Sequence, residues 1–199
     1  MVRTLGTALL ACAGVVFTTV SAQAQHLDMG FGVGTVSAPS ASSATDGHSQ
    51  QSLNGGAYLG FSGDVLFHKR FGVGGEIAWK GSEAIWGGFQ PYRPIFWDFN
   101  GVWVPKLANR TYADLQAGIG AQSTRFYTPF STCGFNGCTN YSTSTHFLGH
   151  FGGGIRLYPV GNLFIRPEVH YYLVNNNWEF SSAHVLRYGA TLGYSFGGR

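Results

Sequence analysis

Three side chains capable of chemistry stand at alternate positions of one short segment, LFIRPEVHYYLV (Leu163–Val174): Arg166, Glu168 and His170. A guanidinium, a carboxylate and an imidazole in a row suit acid–base work or the binding of a charged group. Side chains two residues apart share a face only in a β-strand, so this row requires a strand whose opposite face is almost wholly apolar. Such a strand fits an active site, and it equally fits the inside of a membrane barrel.

The composition favours finely interleaved polar and apolar residues. Of the 199 residues only 11% are charged, against roughly 25% in an ordinary soluble domain. Aromatic residues make up 16% and there are 30 glycines, yet mean hydropathy is only +0.02. That value is too low for a bundle of membrane helices. The net charge of +3 comes without a Lys/Arg cluster, which argues against nucleic-acid binding.

The first 24 residues have the three parts of a secretory signal peptide. Arg3 supplies the positive start, an uncharged and mainly apolar run follows, and Ala22-Gln23-Ala24 is a small-x-small cleavage site. We therefore predict a signal peptide at 1–24, cleaved after Ala24, and a single domain at 25–199. No later run has the 18 apolar residues of a membrane helix, so a membrane-embedded chain would have to be a closed β-barrel.

After the signal, hydrophobicity alternates with period two through eight segments. The predicted strands cover about 26–37, 54–66, 71–80, 93–104, 111–126, 144–157, 163–174 and 183–196. The connections alternate between long and short, and the long ones are predicted loops at 38–53, 81–92, 127–143 and 175–182. Short turns at one end and long loops at the other are typical of transmembrane barrels. We predict an all-β fold, an eight-stranded antiparallel up-and-down transmembrane barrel.

The charged strand positions share their face with small polar residues, while the other face carries most of the Phe, Leu, Ile and Trp. A soluble barrel of the lipocalin type would have the opposite arrangement, with its apolar residues inside. An eight-stranded interior is only wide enough for side chains, so inward charges must pair. The predicted charge network of the interior consists of Asp64, Glu76, Asp98, Asp114, Arg156, Arg166, Glu168 and Arg187.

Hairpin geometry gives first estimates of strand register. Centring the fifth and sixth predicted strands on their loop places Asp114 opposite Arg156, and centring the next hairpin on YPVGN places His150 opposite His170. Together with His146, the two histidines are candidates for a pH-responsive group. Two histidines without a third firm ligand do not make a metal site, and neither a metal nor a cofactor is predicted.

The last strand, RYGATLGYSF, ends in spaced apolar and aromatic residues with Phe196 last. With the eight strands and the loop alternation, it resembles the small outer-membrane β-barrel family of Gram-negative bacteria, the OmpA-type and opacity-type eight-stranded barrels. The resemblance implies residence in the outer membrane, contact with its lipid and lipopolysaccharide, and recognition of the strand ending at Phe196 by the barrel-insertion machinery. It also implies exposed loops that are able to bind a surface ligand.

Three functions compete on this reading. A structural or surface-interaction barrel leads, a narrow or gated solute channel is the alternative, and a lipid A-modifying enzyme is third. Lipid A deacylases of such barrels carry His-x-Ser on a late strand, whereas Ser144 and His146 stand in the reverse order. No catalytic residue is predicted, and we expect the chain not to be an enzyme.

Two local features complete the predictions. Export makes a disulfide between Cys133 and Cys138 expected, where it would restrain a loop tip. Pro167 has no N–H, so a bulge or an unpaired ladder position is expected in the seventh strand.

Overall fold

The computed structural model describes residues 26–40, 49–67, 70–134 and 137–197. The predicted signal peptide, 1–24, lies outside these residues, so the structure describes only the predicted barrel domain. Ten strands follow one another: β1 (His26–Ser37), β2 (Ala57–Phe67), β3 (Phe71–Lys80), β4 (Ala84–Trp86), β5 (Gln90–Trp103), β6 (Lys106–Ala108), β7 (Thr111–Gly134), β8 (Gly137–Val160), β9 (Leu163–Val174) and β10 (His184–Phe196). Within the described ranges, no helix has the length and apolar character needed to cross a membrane.

Eight long antiparallel strands form a closed ring. Each pairs with its long neighbours in the chain, β1 pairs with β10, and β5 pairs with β7 across the short β6. The short strands β4 and β6 only extend the edges of β5 and β7. The prediction of an all-β, antiparallel, eight-stranded ring is confirmed. Closure satisfies the backbone groups that an open sheet leaves at its edges.

Side chains alternate strictly between the two faces of the ring. Along β9 every second residue is buried, and Arg166, Glu168 and His170 all point inward. Outward positions carry large apolar side chains, such as Phe31 with 53% and Phe99 with 68% of its surface exposed. This polarity is the inverse of a soluble barrel, because the charges lie inside and the apolar residues lie outside.

The hairpin of β7 and β8 corrects the predicted loop at 127–143. Both strands run 24 residues, and pairing continues almost to the tip, where Cys133 is opposite Cys138. The prediction failed because alternating burial stops beyond the ring, whereas the Thr and Tyr residues that favour strands continue. The pairing shifts register between Tyr127 and Thr132, around Pro129, which has no N–H to give the ladder.

Both predicted registers were wrong by two residues. Arg156 is opposite Tyr112, not Asp114, and His150 is opposite Tyr172, not His170. Each prediction assumed a symmetric loop. The β8–β9 turn instead sits at Gly161-Asn162, because Gly161 supplies the positive φ of 52° that a tight turn needs.

Pro167 interrupts the ladder as expected. Within the described β8–β9 pair, the ladder passes from Gly154–Glu168 directly to Leu157–Ile165 without a change of register. The feature at Pro167 is therefore an unpaired position and not a bulge. On its other side Pro167 still pairs with Ala190 of β10.

Candidate functional site: the buried charge network

Arg156 of β8 connects three strands at the turn end of the ring. Its guanidinium donates to Asp114 Oδ2 on β7 at 2.5 Å, to Asp64 Oδ2 on β2 at 2.7 Å, and to Asp28 on β1. The side chain is completely buried. Asp114 is reached although the two residues are not directly opposite, because a long side chain spans the diagonal between neighbouring strands.

Arg166 of β9 extends this cluster across the ring. It donates to Glu168 Oε2 at 2.6 Å, to Asp114 Oδ2 at 3.0 Å and to Ser62 Oγ at 3.1 Å. Arg166 Nη1 also lies 3.5 Å from Asp64 Oδ2. Two arginines thus share the same carboxylates, and removal of either would leave a buried charge without its partner.

A second cluster lies nearer the loop end and is built around two glutamates. Arg187 of β10 donates to Glu76 Oε1 of β3, and its Nη2 lies 3.6 Å from Glu168 Oε1. Glu168 also accepts from Thr191 Oγ1 at 2.9 Å. His170 stands between the glutamates, with Nδ1 3.5 Å from Glu76 Oε2 and Nε2 3.4 Å from Glu168 Oε1.

His150 and His170 form a stacked pair in this cluster. Their ring centroids are 5.1 Å apart at an interplanar angle of 12°, and His150 Nε2 lies 2.9 Å from His170 Nδ1. His150 Nδ1 lies 2.7 Å from Asn100 Oδ1, and Asn100 in turn donates to Asp98. The pair that the sequence suggested therefore exists, although the strands meet two residues away from the predicted register.

His146 lies apart from the other two histidines, close to the loops. Its Nε2 is 2.7 Å from Glu179 Oε2 and 3.0 Å from Ser144 Oγ. A catalytic triad requires the acid and the nucleophile to contact different ring nitrogens of the histidine. Here one nitrogen contacts both, so the arrangement lacks the geometry of a triad.

Apolar layers close the charge network at both ends. On the loop side a stacked pair, Phe96 and Tyr172 with centroids 4.9 Å apart, belongs to a large cluster of buried aromatic and aliphatic residues. On the turn side Leu66, Val102 and Val104 pack together. The sequence predicted an interior filled by charged and polar side chains. In the structure the charges lie in the middle of the interior, between two apolar clusters. A cavity of about 10 Å³ beside Arg187 and Glu168 has room for about one water molecule.

Two buried acids are absent from the charge network that the sequence predicts. Asp28 lies on the glycine-rich face of β1, and its alternation with Leu27 and Met29 already places it inward. Glu179 lies between β9 and β10, where no periodicity signals burial. The predicted residues Asp64, Glu76, Asp98, Asp114, Arg156, Arg166, Glu168 and Arg187 all lie in the interior.

The predicted disulfide is present: Cys133 and Cys138 are bonded to each other near the tip of the β7–β8 hairpin. Because they face each other directly across the strands, they restrain the tip and not the ring. Beyond the last residues that pair with β5, the ends of β7 and β8, from Tyr127 to Tyr141, continue as a two-stranded arm at the loop end.

The geometry can be compared with known proteins. No protein-family model and no curated protein matches the sequence. Solved structures do match over almost the whole ring. Ail, the attachment invasion locus protein of Yersinia pestis in complex with the heparin analogue sucrose octasulfate, has a TM-score of 0.57 at 13% identity, covering 87% of this chain and 100% of Ail.

The chain has the fold of the small outer-membrane β-barrels. Neisserial surface protein A matches at a TM-score of 0.59 and 9% identity, with 88% of this chain and 99% of that chain covered. The N-terminal barrel domain of OprF from Pseudomonas aeruginosa matches at 0.54 and 9%, covering 88% and 100%. In this barrel fold, the network described above occupies the narrow interior.

Proposed function

We propose that the chain is an exported outer-membrane β-barrel protein with a structural or surface-interaction role. The observation that carries the proposal is the inverted polarity of the ring. Side chains such as Phe31, Phe99 and Ile119 are more than half exposed, whereas Arg156 and Arg166 are buried. In water such a surface would drive association, but it is the surface that a lipid bilayer requires. Insertion would use the strand that ends at Phe196.

The arm formed by the ends of β7 and β8 is the natural contact element. Phe130 is 79% exposed on it, and the disulfide of Cys133 with Cys138 limits the conformations of its tip. A preordered arm loses less conformational entropy on binding than a flexible loop does. The match to Ail, an attachment protein, agrees with a role of this kind.

A pair of arginines at the loop end supports contact with lipid or lipopolysaccharide. Arg93 of β5 and Arg125 of β7 are direct cross-strand partners on the outer face. Like charges placed opposite each other repel, so an anion such as a lipid phosphate would stabilise the pair. Glu83 lies 3.8 Å from Arg93 and offsets only part of this repulsion.

The solute channel is the second candidate, and the filled interior weighs against it. A permeant ion would have to pass the Phe96–Tyr172 layer, the arginine clusters and the Leu66 layer in turn. The lipid A-modifying enzyme is weaker still, since the Ser144–His146–Glu179 contacts lack triad geometry. We propose a non-enzymatic protein, and mass spectrometry of lipid A with and without expression of the chain tests this.

Cell fractionation combined with a heat-modifiability gel tests the location and the barrel state. We expect the protein in the outer-membrane fraction, with a faster-migrating folded band that converts to the unfolded position on boiling. A soluble periplasmic protein without a mobility shift would refute the proposal.

The arginine pair allows a sharper test of the lipid partner. The double variant R93Q/R125Q should retain less co-purifying lipopolysaccharide than the wild type, while K106Q, an exposed cation elsewhere on the chain, should be unchanged. Equal retention by all three proteins would remove the lipid-phosphate assignment and leave the barrel proposal intact.

A further inference from the structure

The buried network contains more negative than positive groups. In the described interior its carboxylates are Asp28, Asp64, Glu76, Asp98, Asp114 and Glu168, and its guanidinium groups are Arg156, Arg166 and Arg187. The carboxylates therefore outnumber the guanidinium groups by three. The ammonium of Lys80 lies over the ring of Tyr92, 5.9 Å from its centroid, and among the described residues it forms no ion pair with these carboxylates. Uncompensated charge in such a site is costly, so the excess is neutralised either by protons or by a bound cation.

The hydrogen-bond chain through the histidines determines which nitrogen is free. Asn100 donates its amide to Asp98, so its carbonyl oxygen faces His150 Nδ1 at 2.7 Å and accepts that proton. His150 Nε2 is then the acceptor for His170 Nδ1 at 2.9 Å. His170 Nε2 is left with an unshared lone pair.

The lone pair of His170 Nε2 lies near Glu168 Oε1, which already accepts from Thr191 Oγ1, and Glu76 Oε2 lies 3.5 Å from the other ring nitrogen, Nδ1. His170 Nε2 and Glu76 Oε2 are both buried and make no hydrogen bond. Nε2 lies 3.4 Å from Glu168 Oε1, which is longer than the charge-assisted hydrogen bond that a shared proton would form, about 2.8 Å. Two lone pairs facing each other repel unless a cation lies between them.

The spacing suits a metal ion. One ligand atom from each of Glu76, Glu168 and His170 lies within 4.8 Å of the other two. A tetrahedral ion with bonds of about 2.0–2.2 Å holds its ligands about 3.3–3.6 Å apart, so small movements would complete the site. His150 and Asn100 would act behind the ligands and orient the imidazole of His170, as second partners of metal-bound histidines commonly do.

We propose that the barrel interior binds one divalent first-row transition-metal ion through Glu76, Glu168 and His170 Nε2. The ion neutralises most of the excess carboxylate charge and links β3 to β9 across the ring. Since apolar layers cover the site at both ends, the ion enters during folding and exchanges slowly afterwards. The proposal requires only a folded ring and does not depend on the surface role.

The test uses Zn²⁺ as the probe. The full chain is folded into detergent micelles with Zn²⁺ or with EDTA, passed through gel filtration, and analysed for metal content and melting temperature. We expect about one zinc per chain that survives gel filtration, and a higher melting temperature with Zn²⁺ than with EDTA. Co²⁺ in place of Zn²⁺ should give visible absorption bands typical of low coordination number.

Variants separate this site from adventitious binding. H170Q should lower zinc affinity at least tenfold, whereas H146Q, which removes the other buried histidine–glutamate contact, should bind like the wild type. Zinc retained equally by H170Q, or a folded wild type with no zinc and no melting shift, would overturn the proposal. If H170Q fails to fold, the wild-type comparison of Zn²⁺ with EDTA decides alone.

Discussion

At the scale of single residues, Arg156 is one of two buried arginines that each lie within ion-pair distance of three carboxylates. It contacts Asp28, Asp64 and Asp114, which come from three strands that are remote in sequence. A buried guanidinium with three carboxylate partners contributes less than the sum of its contacts, because all four groups lost their hydration. Its removal is nevertheless costly, since the carboxylates remain buried.

We predict that R156Q lowers the free energy of unfolding by about 3–5 kcal/mol, the cost typical of breaking a buried ion pair. Urea unfolding in detergent, followed by tryptophan fluorescence, measures it. The matched control R70Q replaces an exposed arginine outside the network and should change stability by less than about 0.5 kcal/mol. A similar small effect for both variants would show that the network does not support the fold.

At the scale of elements, the contact between β5 and β7 depends on a missing side chain. A Cβ added at Gly120 would lie 1.9 Å from the carbonyl oxygen of Trp97 and 2.6 Å from the Cα of Asp98. Both obstacles are backbone atoms, which cannot rotate away as a side chain can. At this position β5 and β7 therefore approach each other to a distance that only glycine allows.

We predict that G120A destabilises the barrel by about 1–3 kcal/mol, as overpacking usually does. G63A is the control, because a Cβ at Gly63 would meet no atom within 4 Å. Both glycines lie within strands at negative φ, so alanine brings no left-handed strain in either case. The midpoint of urea unfolding distinguishes them, and equal midpoints would contradict the close approach.

At the scale of the whole molecule, layers of side chains fill the interior of the barrel. A charged layer lies between two apolar ones, and an ion crossing it would have to displace paired charges and stacked rings. Eight-stranded barrels are in general just wide enough to be filled by side chains.

We predict that the purified protein produces no steady discrete openings in a planar lipid bilayer, in preparations where an open porin does. Current recordings over a range of voltages provide the measurement. Reproducible unitary conductance would make the channel the leading function, and it would mean that the layers move apart in the membrane.

The number of long strands in the ring, their antiparallel order and the inward face of each follow from the sequence by itself, whereas the short strands β4 and β6 do not. The period-two alternation behind them is a property of local backbone geometry that each segment expresses on its own. The sequence wrongly predicted a loop at 127–143 because it relied on this alternation, and burial no longer alternates where the two strands extend beyond the ring.

Only the tertiary structure decided which inward groups meet. Because of the turn at Gly161 and the irregular pairing around Pro129, both observed registers differ by two residues from those of symmetric loops. The long side chain of Arg156 nevertheless reaches Asp114. Glu76 reaches His170 through the closure of the ring, which brings β3 opposite β9. Local periodicity carries no information about such contacts, since they depend on the shear and circumference of the closed barrel. The sequence offered two histidines without a firm third ligand, and the closed ring supplied the glutamates.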